Sequence, residues 1–211
     1  MLTQAQILQG FQNIVTAIAE NKDYLTELDA AIGDGDHGIN LNRGFQKVQT
    51  QLPSFTDQDI GSIFKAVSMT LISTVGGASG PLYGTMFLRG SMVTTGKSEL
   101  NESDVVKLFQ AFVEGVVTRG KATVGDKTML DALQPAADTL EQAVASGSHL
   151  SDALQQAIQA AEDGMNQTFS LVAKKGRASY LGERSTYHLD PGAVSTYLIL
   201  KALFNPITLH E

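Results

Sequence analysis

With 211 residues and 43% hydrophobic content, the chain can bury a full core, and one domain over 1–211 is expected. A formal net charge of -7 leaves no electrostatic footprint for nucleic acid or an anionic membrane surface, so any phosphate must be held locally. The absence of cysteine removes disulfides, thiolate metal sites and cysteine nucleophiles, and with no signal-like N-terminus or membrane-length apolar run, a cytoplasmic protein is expected.

Helical spacing dominates from the start. Ile7, Phe11, Ile14 and Ile18 form one stripe behind Thr3 and Gln6, which have capping-box spacing. A second helix is expected from about Asn21 to Ala31 and a third from about Asn40 to Gln51, before Pro53. Between them, Asp29-Ala30-Ala31-Ile32-Gly33-Asp34-Gly35-Asp36-His37-Gly38 brings three carboxylates within a short, glycine-rich stretch. Carboxylates so close repel one another unless a cation neutralises them, and their oxygens suit Mg²⁺ or Ca²⁺. An EF-hand loop begun at Asp34 would need glycine where Ile39 stands and a bidentate glutamate where Phe45 stands, so that reading fails. Mg²⁺ held together with substrate phosphates fits better.

Thr56 and Asp59 can cap a helix from about Asp57 to Val75, with Ile60, Phe64, Val67 and Leu71 on one stripe and Gly76-Gly77 as its stop. The small residues from Gly76 to Thr85 leave amides uncovered at the next helix start, a place suited to phosphate, with Ser79 and Thr85 as hydroxyl donors. Gly90 to Ser98 imitates a Walker A loop, but five residues separate its glycines where the motif has four; Lys97 reads instead as a cation at a helix C-terminus.

Further stripes are Val105, Phe109, Phe112 and Val116 after Ser103; Leu130, Leu133, Ala137 and Leu140; and Leu154, Ile158, Ala161 and Met165 after Ser151. Thr128 and Asp131 can form a reciprocal cap, and Met129 with Leu133 can offer an apolar wall to a flat ring. Lys174 to Ser185 is basic in an acidic chain and can close over phosphates, with Arg177 as a bidentate donor. Asp190-Pro191-Gly192 then turns into a last apolar helix, Val194 to Phe204, which is expected to stop before Pro206. His149, His188 and His210 have no partners at metal-ligand spacing and stay unassigned. About eight helices with no hairpin signal between them read as all-α.

Four motifs in this order, Asp29-x4-Asp34-Gly35-Asp36-His37-Gly38, Gly76 to Thr85, Val124 to Leu133, and Arg177-Ala178-Ser179-Tyr180 through Asp190-Pro191-Gly192, resemble the ADP-binding L subunits of bacterial dihydroxyacetone kinases over nearly the whole chain. The resemblance implies an antiparallel eight-helix barrel with a nucleotide site built by loops at one end. It implies that Asp29, Asp34 and Asp36 hold two Mg²⁺ ions, that His37, Gly38, Ile39 and Asn40 begin a helix beside the phosphates, and that Ala78 and Ser79 contact phosphate. Gly120 and Met129 would border adenine, while Arg177, Asp190, Pro191 and Gly192 would close a lid, Arg177 with a catalytic role. It implies tightly bound ADP/ATP, rephosphorylated by a phosphohistidine M subunit of the phosphotransferase system, with dihydroxyacetone held on a K subunit. The chain length suggests this form rather than the fused, ATP-dependent one. A nucleotide-sensing regulatory or coactivator protein, or a kinase domain serving another acceptor from free ATP, are the alternatives.

Overall fold

The structure, a computed structural model, describes the backbone of residues 1–208 and the side chains of 1–205; His210 lies outside the described residues. Thr3 caps the first helix as its spacing predicts: its hydroxyl accepts the Gln6 N–H while the Gln6 side chain accepts the Thr3 N–H. From that cap α1 (Gln4–Glu20) buries Ile7, Phe11, Ile14 and Ile18. There follow α2 (Lys22–Ile32), α3 (His37–Gln49), α4 (Ile60–Thr74), α5 (Ser79–Thr94), α6 (Glu102–Gly120), α7 (Leu130–Ala145), α8 (Leu150–Gln167) and α9 (Pro191–Thr208). A two-residue antiparallel pair, β1 (Leu2–Thr3) with β2 (Glu99–Leu100), ties the N-terminus to the turn before α6.

Eight of these helices close a ring. Each of α3 through α9 packs on the next, and α1 packs on both α9 and α3. The starts of α3, α5, α7 and α9 lie together at one end, so successive helices from α3 onward alternate in direction. The ninth helix, α2, bridges α1 to α3 and packs on α3, α9 and the segment after α8. This is the expected all-α barrel with one extra helix across an end. Its axis is filled by phenylalanines: Phe11, Phe64, Phe87 and Phe112 are fully buried, with neighbouring ring centroids 5.5–5.8 Å apart. Burying each such ring contributes roughly 1.5–3 kcal/mol. At Gly10 an added Cβ would lie 2.2 Å from the Leu203 carbonyl oxygen, so only glycine lets α1 and α9 approach this closely.

Several helix boundaries differ from the sequence expectation. The α4 cap is Asp59 alone, whose carboxylate accepts the Ser62 N–H and reaches across to the Gly96 N–H; Thr56 ends a 3₁₀ turn, Leu52–Phe55, so the helix begins at Ile60 rather than Asp57. Asn101, paired with Asp104, caps α6 and leaves Ser103 inside the first turn. Ser151 likewise lies within α8, which begins at Leu150. The third helix starts at His37, three residues ahead of the expected Asn40. Pro206 does not stop α9: the missing N–H at 206 frees the Ala202 carbonyl, and Asn13 of α1 donates to that carbonyl at 3.4 Å. The Walker-like stretch is a helix end, with Gly90 packed on the Phe112 ring and Lys97 paired to Asp104 at 3.1 Å.

Candidate functional site

The starts of α3, α5, α7 and α9 meet at one end of the barrel around a cavity of about 630 Å³. Four helix N-termini aim positive dipole ends at this space, which favours a polyanion. Two starts are capped by carboxylates, and a third carboxylate braces the loop that enters α7. Asp29 accepts the Asp36 and His37 N–H groups at 2.9 and 3.1 Å, Asp131 accepts the Thr128 N–H at 2.7 Å, and Asp190 accepts the Ala193 N–H at 2.7 Å. The start of α5 has no side-chain cap. Its loop, with Gly77 at φ +66°, presents Gly76, Gly77, Ala78 and Ser79 to the cavity.

Beside it stands the acidic cluster. Asp29 at the end of α2, Asp34 in the connecting loop and Asp36 at the start of α3 each offer one oxygen, all within 4.8 Å of one another. Asp36 occupies the N-cap position of α3 yet makes no capping hydrogen bond; Asp29 has taken that role, which leaves the Asp36 carboxylate for the cluster. Gly33 makes room, since a Cβ there would lie 2.0 Å from Asp29 Oδ1. An all-oxygen set of three carboxylates fits a hard divalent cation.

His37, buried beneath the cluster, links two helices. One ring nitrogen lies 3.0 Å from Ser79 Oγ and the other 2.8 Å from Ser195 Oγ. Tyr83 continues the chain to Ser195 at 2.6 Å and Thr196 at 2.9 Å. Burial holds the His37 pKa below the ordinary histidine value, against the pull of the Asp29 and Asp36 carboxylates, so the ring is neutral and orients Ser79. Burial likewise pushes the Tyr83 hydroxyl up, keeping it a neutral donor.

Away from the carboxylates the lining turns apolar, with Leu82, Val116, Gly120, Ala122 and Met129. Over the cluster lies the segment after α8, whose 3₁₀ turns (Arg177–Ser185) bring Arg177 to within 3.0 Å of Asp34. Both partners are substantially exposed, so the pair is readily exchanged. Asp190 lines the same cavity with Pro191 and Gly192; burial pushes its pKa up to about 7, opposed by the Ala193 N–H and Lys127 and reinforced by the Asp131 and Asp29 carboxylates.

Of the residues singled out in the sequence, Asp29, Asp34, Asp36, His37, Ala78, Ser79, Gly120, Met129, Arg177, Asp190, Pro191 and Gly192 all line this cavity. Gly38, Ile39 and Asn40 do not. Gly38 packs on the Lys22 carbonyl, Ile39 is half-exposed, and Asn40 sits behind Gly76 while accepting from Arg43 at 2.8 Å; beyond their backbones, these three support the site from outside. The Thr85 hydroxyl bonds the Pro81 carbonyl within α5 and is no phosphate donor. Leu133 is core, one turn too deep to share a wall with Met129. The Thr128–Asp131 cap is half formed, because the Thr128 hydroxyl accepts from Leu130 instead of Asp131. Tyr83, Ser195, Thr196 and Lys127 were not foreseen, being residue types that sequence alone does not distinguish from ordinary helix and loop positions.

Fold and site together define an all-helical barrel with a pocket that is acidic at one end, amide-rich in the middle and apolar at the other. The chain belongs to the DAK2 domain family, which it matches over residues 31–205. It is 44% identical to the ADP-binding subunit of PEP-dependent dihydroxyacetone kinase from Escherichia coli, covering 96% of each chain. It is 41% identical to the ADP-binding subunit of PTS-dependent dihydroxyacetone kinase from Lactococcus lactis, covering 98% of this chain and 100% of that one. The crystal structure of the dihydroxyacetone kinase of C. freundii in its native form superposes with a TM-score of 0.73 at 24% identity, over 97% of this chain and 35% of that one, which establishes the shared fold. The same kinase has been solved in complex with AMP-PNP and Mg²⁺. No helix among the described residues is long and apolar enough to cross a membrane.

Proposed function

We propose that this chain is the nucleotide-carrying subunit of a dihydroxyacetone kinase of the phosphotransferase-dependent kind. The observation that carries the reading is the acidic triad set beside the uncapped start of α5, with an apolar slot beyond it. Those features in that order suit Mg²⁺, a di- or triphosphate and a purine ring, and the cavity volume falls in the usual range for such ligands. Asp29, Asp34 and Asp36 would hold two Mg²⁺ ions, which supply charge neutralisation at the phosphates. The α5 loop, with Ser79 held by His37, would bind the phosphate oxygens; Gly120 and Met129 would border the adenine. Arg177 would leave Asp34 for the phosphoryl group in flight, where a preorganised cation acts on developing charge.

Phosphoryl transfer needs positioning and charge more than a covalent group, and the candidate bases lining the pocket are engaged elsewhere: Asp29 and Asp190 accept helix amides, His37 lies between Ser79 and Ser195, and Asp34 and Asp36 belong to the carboxylate cluster. The acceptor would therefore be activated on a separate K subunit. The donor side is supported by similarity: the relatives named as subunits of PEP- or PTS-dependent kinases are 40–44% identical, whereas the Dictyostelium and mouse relatives, of whose length the chain spans only about a third, are 31–32% identical. Bound ADP would accept a phosphoryl group from the phosphohistidine M subunit and pass it on as the γ-phosphoryl of ATP without leaving the pocket.

Labelled ADP tests this. Loaded onto the protein, it should stay bound while the phosphohistidine donor and K subunit turn over many times, with free ATP a poor substitute. Rapid label exchange, with transfer driven by free ATP alone, would overturn the reading in favour of a conventional ATP-dependent kinase.

A further inference from the structure

Lys127 turns its ammonium into the interior. It is 1% exposed, and its ammonium faces four backbone carbonyls, those of Thr168 at 2.9 Å, Leu171 at 3.1 Å, Ser185 at 2.7 Å and His188 at 2.6 Å. An ammonium has three hydrogens to share among these four acceptors. A cage of converging carbonyl oxygens is the chemistry that replaces the hydration shell of a monovalent cation. The loop is shaped to deliver this cation: Lys127 adopts φ +62°, a left-handed conformation uncommon outside glycine, and the adjacent Asp126 carbonyl accepts the Lys174 N–H at 3.0 Å.

The four carbonyls come from both ends of one segment. Thr168 and Leu171 lie where the chain leaves α8, while Ser185 and His188 lie where it returns to α9. Between them run the turns bearing Arg177, and two residues past His188 comes Asp190, the cap of α9. Without the ammonium, the Leu171, Ser185 and His188 carbonyls would lose this donor and the Thr168 carbonyl would keep only the Leu171 N–H, leaving four converging dipoles uncompensated. We infer that Lys127 is a positioning residue for this segment: its ammonium is a built-in monovalent cation that pins residues 171–190 over the cavity, and removing it releases the segment while the barrel stays folded.

Amide hydrogen exchange on the full, ligand-free chain tests this. In Lys127→Ala, peptides spanning 171–190 should exchange at least tenfold faster, with those from α1 and α4 unchanged. Propylammonium, which replaces the side-chain atoms from Cγ to Nζ that the substitution deletes, should restore protection; equal concentrations of 1-propanol or tetramethylammonium should not. Lys127→Met keeps most of the stem without the charge, and should show the same local release without rescue if the alanine variant does not fold. Unchanged exchange over 171–190, equal acceleration throughout the chain, rescue by the neutral alcohol or the quaternary ion, or failure of both variants to fold would each overturn the inference. No nucleotide is present, so a protein that shows local release and rescue yet binds no ADP would fail the proposed function alone.

Discussion

Asp36→Asn should make the metal-free protein more stable while removing its response to Mg²⁺. The three carboxylate oxygens lie within 4.8 Å of one another, so each pair repels by at least about 0.9 kcal/mol at bulk-water dielectric and about 3.5 kcal/mol at an effective dielectric of 20. Asp36 takes part in two of these pairs and its side chain makes no capping hydrogen bond, so the amide costs it no structural contact. Against that relief stands the loss of a negative charge at the start of α3, worth about 0.3–1 kcal/mol. Partial exposure of Asp34 and Asp36 keeps the repulsion near its lower bound, which leaves a net gain on the order of 1 kcal/mol. For a chain of this size that is roughly 2–4 °C in Tm.

Mg²⁺ should reverse the order. At tenfold excess over its dissociation constant, a cation bound only to the folded wild type adds about 1.4 kcal/mol, and the variant should gain much less. Urea unfolding of both proteins at low ionic strength, with and without Mg²⁺, reads all four states. Asp29→Asn is a poorer probe because Asp29 also holds two amides of α3. An Asp36→Asn protein that is less stable without metal, or that keeps the wild-type Mg²⁺ increment, would refute the cluster as a cation site.

Arg177→Ala should fold normally, since the side chain is exposed, yet slow phosphoryl transfer by about 10²-fold in single-turnover assays, the scale of one lost preorganised donor; unchanged transfer would remove it from the reaction. Mg-ADP should suppress proteolysis between Lys174 and Arg184, and equal cleavage with and without it would mean the segment is no lid. Asp190 has a folded pKa raised from 3.8 to about 7, so the folded state binds its proton more tightly and stability should fall as pH rises from about 4 to about 7, by up to roughly 4 kcal/mol. Asp190→Asn should flatten that slope in unfolding curves compared at pH 5 and pH 8. Burial lowers the pKa of His37, so its contribution has the opposite sign and is lost as pH falls below about 6.5; a variant as steep as wild type would show that Asp190 is not the source.

The acid cluster and the α5 loop were legible because their chemistry is local: Asp34 and Asp36 lie two residues apart, Asp29 sits one helical turn behind, and the glycines announce the bend. The stripes of α1, α4 and α6 were legible for the same reason, since periodicity needs only neighbours in sequence. Lys127 was not. Its acceptors lie 41 to 61 residues away, and nothing in Gly125-Asp126-Lys127-Thr128 says that its charge turns inward. Nor does sequence reveal which of two adjacent cap candidates wins, as with Thr56 and Asp59, because the choice depends on the Gly96 amide arriving from the far end of α5. The expectation that Gly38, Ile39 and Asn40 begin a helix beside the phosphates follows from their place after His37; they do form the first turn of α3, but Gly38 packs on α2, Ile39 faces outward and Asn40 stands behind Gly76, contacts that lie outside their own stretch of sequence.

A chain of net charge -7 has to solve one problem before it can hold a polyanion, and the arrangement of helix starts shows how. Two of the four N-termini around the cavity spend their positive ends on Asp29 and Asp190, and Asp131 braces the loop that enters α7, while the start of α5 has no carboxylate on it. One dipole end offsets only part of the negative charge of a nucleoside diphosphate together with three nearby carboxylates, and of the basic residues lining the cavity, Arg119, Lys127, Lys175 and Arg177, Lys127 is engaged by backbone carbonyls and Arg177 by Asp34. On the proposed reading, cations entering with the ligand would supply the rest, so that metal and nucleotide would stabilise each other across the same few ångströms. Arg177 is paired with Asp34, so on the proposed reading a metal held by Asp34 would compete with it. The arginine would then be set free where phosphate charge arrives, so that filling the cation site and arming the lid would be one event.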